Sequence, residues 1–433
     1  MSAFPIALGR LGFGRPARGK AKKKAKKRSR AKAVSAEYNM LLTATLCLLA
    51  LGAVMVFSAS STTRILQDGG LSDSAFYLKR TLMFGAVGLL IMHLTARHGL
   101  QAVRNLTPAI LGFCFFMLVA VLAIGTSVNG ASRWIGSGFL QIQPSEIAKV
   151  ALVLYGADLL ARKPKRARSI EGFMPFLVVV GLACALIMLE PDMGTTMVVT
   201  FAVAATLIAA GARPRDLGLI ALAIGAAALL MTIVEPYRMA RLTGFLNPGS
   251  DAAGAGFQAA QAKIALGSGG LFGVGIGNGV QKAFYLPEAH TDMILATVGE
   301  ELGVIGVVGV LVAFGLFALA GYRIAIGARD LHQQVLAAGL TTLVVMQAFI
   351  NIGAVVGVLP VTGVPLPFVS FGGSSLIILL AASGLLVNIG RRSSSRAIPS
   401  AVPARQGDDR GRRDGRPRDA GSGGRRRAAG AGG

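Results

Sequence analysis

Ten apolar runs, at about 40–60, 77–96, 105–125, 144–161, 172–189, 193–211, 216–234, 291–322, 334–357 and 372–390, fill most of the chain between Met40 and Gly390. Each approaches the ~20 residues that an α-helix needs to cross a bilayer core. In lipid every main-chain N–H and C=O must be satisfied within the protein, and a run of this length does so as a helix. The expected fold is an all-α integral membrane protein of about ten transmembrane helices. Only 15% of the residues are charged, against about 25% in soluble domains, and no separate soluble domain fits between the runs.

Charge sets the orientation. Of 44 Lys and Arg, 12 precede Ala33, 12 lie from Arg391 onward, and the connections 97–104, 162–168, 213–215 and 323–329 carry 11 more. All of these share one face when both termini are cytoplasmic, as the positive-inside rule requires. The long connection 235–290, between helices 7 and 8, is then extracytoplasmic. Residues 1–37 and 393–433 are rich in Arg, Lys, Gly and Ser, so composition predicts disordered basic tails on either side of a transmembrane domain over 38–392. The run Lys20–Arg30 suits a polyanion, but beside a membrane helix it is more simply a topology signal that attracts anionic lipid, at about 1 kcal/mol per cation. No nucleic-acid partner is expected. The basic leader is also too long for a secretory signal, so the first run reads as a retained anchor. Cys47, Cys114 and Cys184 lie inside apolar runs and give neither a disulfide framework nor metal-ligand spacing.

Polar chemistry gathers on the outer side. In Pro287–Gly303, a polar stretch with Glu288, His290 and Asp292 opens directly into an apolar helix. Ionisable groups at membrane depth are costly and default to a functional hypothesis, against the plainer reading of a solvated helix start. With Thr291 as cap, Asp292 falls in the first turn, where the helix dipole favours a carboxylate by about 0.3–1 kcal/mol. Upstream, Asn129–Ile135 holds Arg133 and Trp134, the latter also explicable as an interface anchor. Gln141–Lys149 places Glu146 and Lys149 three apart on one helix face, paired either for structure or for function. Glu190-Pro191-Asp192 makes an acidic turn. The glycine-rich run 267–279 lacks the order of a phosphate-binding P-loop, so its glycines are expected to let the main chain fold closely over the membrane surface. The last outer loop, Leu359–Ser375, has three prolines and ends in a hydroxyl cluster with Ser370 and Ser374, suiting a preformed cavity wall.

The motifs Asn-Gly-Ala-Ser-Arg-Trp-Ile, Gln-Pro-Ser-Glu with Lys149 following, Pro-Asp-Met-Gly-Thr, Leu-Pro-Glu-Ala-His-Thr-Asp and Pro-Leu-Pro-Phe-Val-Ser-Phe-Gly-Gly-Ser-Ser together resemble the SEDS family (shape, elongation, division and sporulation) over residues 40–390. The run before Tyr285 is more similar to the division branch than to the elongation branch. The resemblance implies a ten-helix glycosyltransferase that polymerises lipid II into peptidoglycan strands at the septum. It also implies a class B penicillin-binding protein among other division partners, and a divalent cation, Mg2+ or Mn2+, with no ligands assigned. Motif by motif, the essential aspartate falls on Asp292, the glutamate and lysine on Glu146 and Lys149, and the loop arginine and tryptophan on Arg133 and Trp134. Glu190 departs from the pattern, since many members carry glutamine before Pro-Asp.

The residues suit this chemistry. A sugar on a pyrophosphate already has a good leaving group, so one base for the acceptor hydroxyl suffices, unlike the carboxylate pair of a glycosidase. Asp292 is that candidate base. Arg133, Lys149, Arg238, Arg241, Lys263, Lys282 or a metal ion are candidates to meet the departing pyrophosphate, with Trp134, Glu146, Asp192, His290, Ser370 and Ser374 as the remaining candidate substrate contacts. Two rivals are a lipid II flippase, for which an internal repeat is missing, and a scaffold, which leaves the outer charge unexplained.

Overall fold

The computed structural model describes residues 17–67, 74–128, 131–136, 141–164, 169–235, 239, 242–245, 255–283 and 285–395. Ten of their helices overlap the apolar runs, and a further one, Ala255–Ser268, lies within the connection 235–290. These are α1 (Ala17–Gln67), α2 (Phe76–Leu94), α3 (Leu100–Ile124), α4 (Pro144–Arg162), α5 (Ile170–Leu189), α6 (Met193–Ala210), α7 (Pro214–Val234), α8 (Ala255–Ser268), α9 (Ile294–Ile326), α10 (Leu331–Val355) and α11 (Gly373–Ser395). Among the described residues, eight helical segments are long and apolar enough to cross a membrane. One of the eight is the whole of Phe76–Ile124, in which α2 and α3 join through a π-helical turn at Thr95–Gly99 without leaving helical structure. Side-chain contacts place the turn inside. Tyr77 at the start of α2 meets the outer His290, whereas Asn388 near the end of α11 donates to the Thr95 and Ala96 carbonyls. Helix α4 is not among the eight, because Glu146, Lys149, Asp158 and Arg162 interrupt its apolar character.

The basic N-terminal stretch holds a difference from expectation. The main chain is helical from Ala17, and only Ala36–Ser61 has spanning character. Lys and Ala are strong helix formers, so a helix nucleated in the membrane propagates outward through them. A second difference is a short antiparallel hairpin, β1 (Thr126–Val128) with β2 (Ala131–Trp134), on the outer side between α3 and α4.

Helices α10 and α11 form the centre, with most of their apolar windows buried. Helix α10 packs against α4, α6 and α9, and α11 against α1 and α2. By contrast α7 presents nearly all its residues outward, with Thr232 buried.

Helix α9 is broken. Gly303 takes φ 66 and ψ −165, which ends the half-helix 294–302 and starts another. The glycine-rich run fills the gap: Val274 and Gly275 N–H donate to the Glu300 and Glu301 carbonyls at 3.0 Å each, and Val304 and Ile305 N–H donate to the Gly270 and Leu271 carbonyls. A β-carbon at Gly273 would lie 2.1 Å from the Glu301 carbonyl oxygen, so glycine is required for this approach. The run thus closes on a helix rather than on the membrane surface. It restores the main-chain bonds that the break removes, which is how irregular chain survives at membrane depth.

Candidate active site

Asp292 lies two residues before α9, not inside it. The N-cap position belongs to Met293 and has no side-chain cap. Thr291, expected as the cap, instead turns its hydroxyl to the Glu288 carboxylate at 2.6 Å, with an Asp292 carboxylate oxygen at 3.3 Å. What fixes Asp292 is its own main chain: its carbonyl accepts from Asn351 Nδ2 of α10 at 2.6 Å, and the same amide donates to the Val364 carbonyl at 2.8 Å. One side chain therefore ties the candidate base to the last outer loop. Gly363 in that loop takes φ 73, a backbone conformation that favours glycine, and the loop passes beside the carboxylate, since a β-carbon there would make an ordinary 4.0 Å contact with Asp292 Oδ2.

The loop is anchored on every side. Gln347, one turn before Asn351, donates to the Pro365 carbonyl and accepts from Lys149 Nζ at 2.6 Å. Ser370 Oγ accepts from the Leu366 N–H, and the Phe371 N–H donates to the His290 carbonyl. The His290 ring lies against Tyr77 and Phe371, with ring centres 4.5 and 5.8 Å away. Ser374 Oγ accepts from the Gln143 N–H just before α4. The structure thus joins Asp292, His290, Ser370, Ser374, Glu146 and Lys149 through one loop. Gln347, Asn351 and Gln143 were not singled out by sequence, although Gln347 and Asn351 stand one turn apart on one face of an apolar helix, a readable signal of a polar partner.

Lys149 Nζ also donates to Glu146 Oε1 at 2.8 Å, and both side chains are buried. Breaking such a pair leaves an uncompensated charge, at about 3–5 kcal/mol. Glu146→Gln and Lys149→Met should each lower the thermal midpoint strongly, and the double variant should lose far less than the sum. Strict additivity in that double-mutant cycle rules out the pairing.

Asp192 is the N-cap of α6. It accepts from the Thr195 N–H and hydroxyl, from Gln143 Nε2 at 3.1 Å and from Ser145 Oγ, so it holds α4 to α6 rather than facing outward. Arg133 donates to the Glu190 carbonyl at 2.9 Å and to the Pro191 carbonyl, fixing the hairpin on the acidic turn. Trp134 pairs with Thr126 across the hairpin. Among the described residues neither carboxyl oxygen of the buried Glu190 has a hydrogen-bond partner. Burial and the neighbouring Asp192 push its pKa up to about 8, against a smaller opposing pull from Arg133. The folded chain then keeps a proton that the unfolded chain releases, so this group costs stability as pH rises from about 4.5 to about 8. Glu190→Gln should raise the thermal midpoint by several degrees at the upper end of that window and flatten its pH dependence. An unchanged midpoint–pH curve contradicts this assignment.

The candidate cations separate. Lys263, exposed on α8, lies against Gly357, where a β-carbon would come within 2.8 Å of its Nζ. Arg238 and Arg241 lie outside the described residues. Lys282 is removed from the set that could meet pyrophosphate: it is buried and donates to Glu301 Oε1 at 2.6 Å, Ser58 Oγ at 2.9 Å and the Gly277 carbonyl at 2.8 Å. Among the described residues no group of three or more His, Cys, Asp or Glu could hold a metal ion by itself.

Residues 38–395 match the family described as cell cycle protein FtsW, RodA and SpoVE. Stage V sporulation protein E of Bacillus subtilis is 42% identical over 82% of this chain and 97% of its own length. A protein of Trichlorobacter lovleyi described as a probable peptidoglycan glycosyltransferase FtsW is 40% identical over 82% of this chain and 93% of its own. Among solved structures, a chain from a peptidoglycan synthase complex that coordinates polymerization and crosslinking superposes with a TM-score of 0.68, at 30% identity, over 81% of this chain and 96% of that one. The rod shape determining protein RodA of Thermus thermophilus gives a TM-score of 0.59 at 29% identity, over 81% and 95%.

Proposed function

This chain belongs to the FtsW, RodA and SpoVE family, the SEDS proteins, and from that membership we propose that it polymerises lipid II into septal peptidoglycan strands at the outer face of the cytoplasmic membrane, with Asp292 as general base. The observation that carries the role of Asp292 is its double anchorage through Asn351, which sets a carboxylate against the preformed outer loop. In the reaction the acceptor hydroxyl gives its proton to the Asp292 carboxylate while its oxygen bonds to the anomeric carbon of the donor sugar. The bond from that carbon to the phosphate oxygen breaks, and undecaprenyl diphosphate departs. Lys263, exposed on α8, is one described candidate for a cation that meets the leaving group. A divalent cation fits here as a shared one, since Mg2+ is commonly held by one or two carboxylates together with substrate phosphates. Glu288, whose carboxylate accepts from the Thr291 hydroxyl, is the candidate protein ligand, which leaves the Asp292 carboxylate to accept the proton. When bound, the ion neutralises charge building on the pyrophosphate. Incubating the purified chain and its class B penicillin-binding partner with labelled lipid II tests the activity. Glycan ladders are expected, and movement of lipid II across proteoliposomes without ladders identifies a flippase instead.

The single span of that partner docks on α9. Helix α10 is mostly buried and offers little surface to a partner, and the α9 glycines are partly occupied within the chain. A β-carbon at Gly299 would strike Leu266 of α8, and one at Gly303 the glycine-rich run. Gly309 and Gly315 face open space, beside the exposed Val308, Val312 and Leu316. Photocrosslinkers at 308, 312 and 316 should capture the partner; adducts confined to α1–α6 positions exclude this surface.

A further inference from the structure

On the inner side, far from Asp292, a groove of about 430 Å³ opens between α3 and α4, within the roughly 300–1,000 Å³ of small-molecule sites. Its walls are mainly apolar, with Leu111 and Phe115 from α3 and Tyr155 and Leu159 from α4. Gly112 widens it, since a β-carbon there would meet nothing within 4 Å. Pro108, also in the wall, has no N–H for the helical bond of α3 at this level.

The inner end is charged. Asp158 accepts from Arg104 Nε at 3.2 Å and from Arg162 Nε at 3.0 Å, which ties the two helices together. The carboxylate is covered, with 9% of its side chain accessible, whereas the two arginines remain 42% and 64% accessible. Two guanidiniums share one carboxylate, so a positive charge is left over and faces outward. Arg162 ends α4 where the chain passes to the basic inner connection 162–168, at the depth of the inner-leaflet headgroups. From Thr107 to Phe115 the groove runs toward the bilayer centre over about 12 Å of helix, at ~1.5 Å per residue.

We propose that this groove binds an anionic phospholipid of the inner leaflet, with one acyl chain between α3 and α4 and the headgroup phosphate on Arg104 and Arg162. Arginine matches phosphate oxygens with paired donors, and a lipid meets both halves of the site at once. The site is built by folded residues and is separate from attraction of lipid to the basic tails. A neutral headgroup fills the apolar part but leaves the surplus charge unmatched.

The test places the full chain in proteoliposomes with phosphatidylglycerol or phosphatidylcholine carrying a photoactivatable acyl chain and maps the labelled residues. Labelling at Leu111, Phe115 and Leu159 should be several-fold higher from phosphatidylglycerol. The R104Q/R162Q variant should erase that preference, and G112L, which fills the groove without touching charge, should reduce labelling by both lipids. Because only adducts within the groove are counted, lipid held by the tails does not contribute. Equal labelling by the two lipids in the parent chain, a preference that survives R104Q/R162Q, or labelling unaffected by G112L overturns the proposal.

Discussion

Asp292→Asn should abolish glycan-strand synthesis while the protein still folds and inserts. The change keeps the shape of the side chain and takes away its capacity to accept a proton. The anchor that positions it runs through the main-chain carbonyl to Asn351 and is indifferent to the substitution. A positioned general base contributes roughly 10²–10⁴-fold to rate, and a loss in that range is expected in kcat with labelled lipid II. Asn351→Leu provides the contrast, because it leaves the carboxylate in place and releases both the Asp292 and Val364 carbonyls. Its activity should fall by a smaller factor, with a lower thermal midpoint. If the Asn variant polymerises at the parent rate, Asp292 is not the base.

The membrane architecture was legible because apolar length is a one-dimensional signal, and the runs at 172–189, 216–234 and 334–357 need no knowledge of their neighbours. Much of the site was legible for a related reason: carboxylates, lysines and rigid prolines are conspicuous against so apolar a background. What sequence could not give was which charges satisfy one another. Lys282 and Lys149 look alike as cations near an outer helix end, yet one is held by Glu301 and Ser58 and the other by Glu146 and Gln347. Those partners lie 19 and 224 residues from Lys282, and 3 and 198 from Lys149. Of the four separations, the i,i+3 spacing of Glu146 and Lys149 is the one a helix makes visible. The break at Gly303 was hidden too, since a glycine inside an apolar run reads equally well as a small packing residue.

That break makes the Lys282–Glu301 pair the second place where a large effect is expected. The half-helix 294–302 begins two residues after Asp292, and it lacks the continuous helical bonding that holds an ordinary span straight. Its main-chain ends are joined to the glycine-rich run, the Glu300 carboxylate accepts from the Val280 and Gln281 N–H groups at 2.7 and 3.1 Å, and the Glu301 carboxylate accepts from Ser58 of α1 and from Lys282. Both members of the ion pair are fully enclosed, at 1% and 0% side-chain exposure. Lys282→Met leaves the Glu301 charge without its cation, a change of about 3–5 kcal/mol in a buried setting. The variant should show a markedly lower thermal midpoint, and polymerisation should fall at least tenfold as the half-helix shifts Asp292 away from its loop. Adding Glu301→Gln removes the stranded charge, so the double variant should recover most of the stability. Since the hydrogen bond from the glycine run to the Glu301 carbonyl is untouched by either change, kcat should recover with it while KM stays near the parent value. A Lys282→Met protein with parent stability and rate, or a double variant no better than the single one, removes the pair from any part in positioning Asp292.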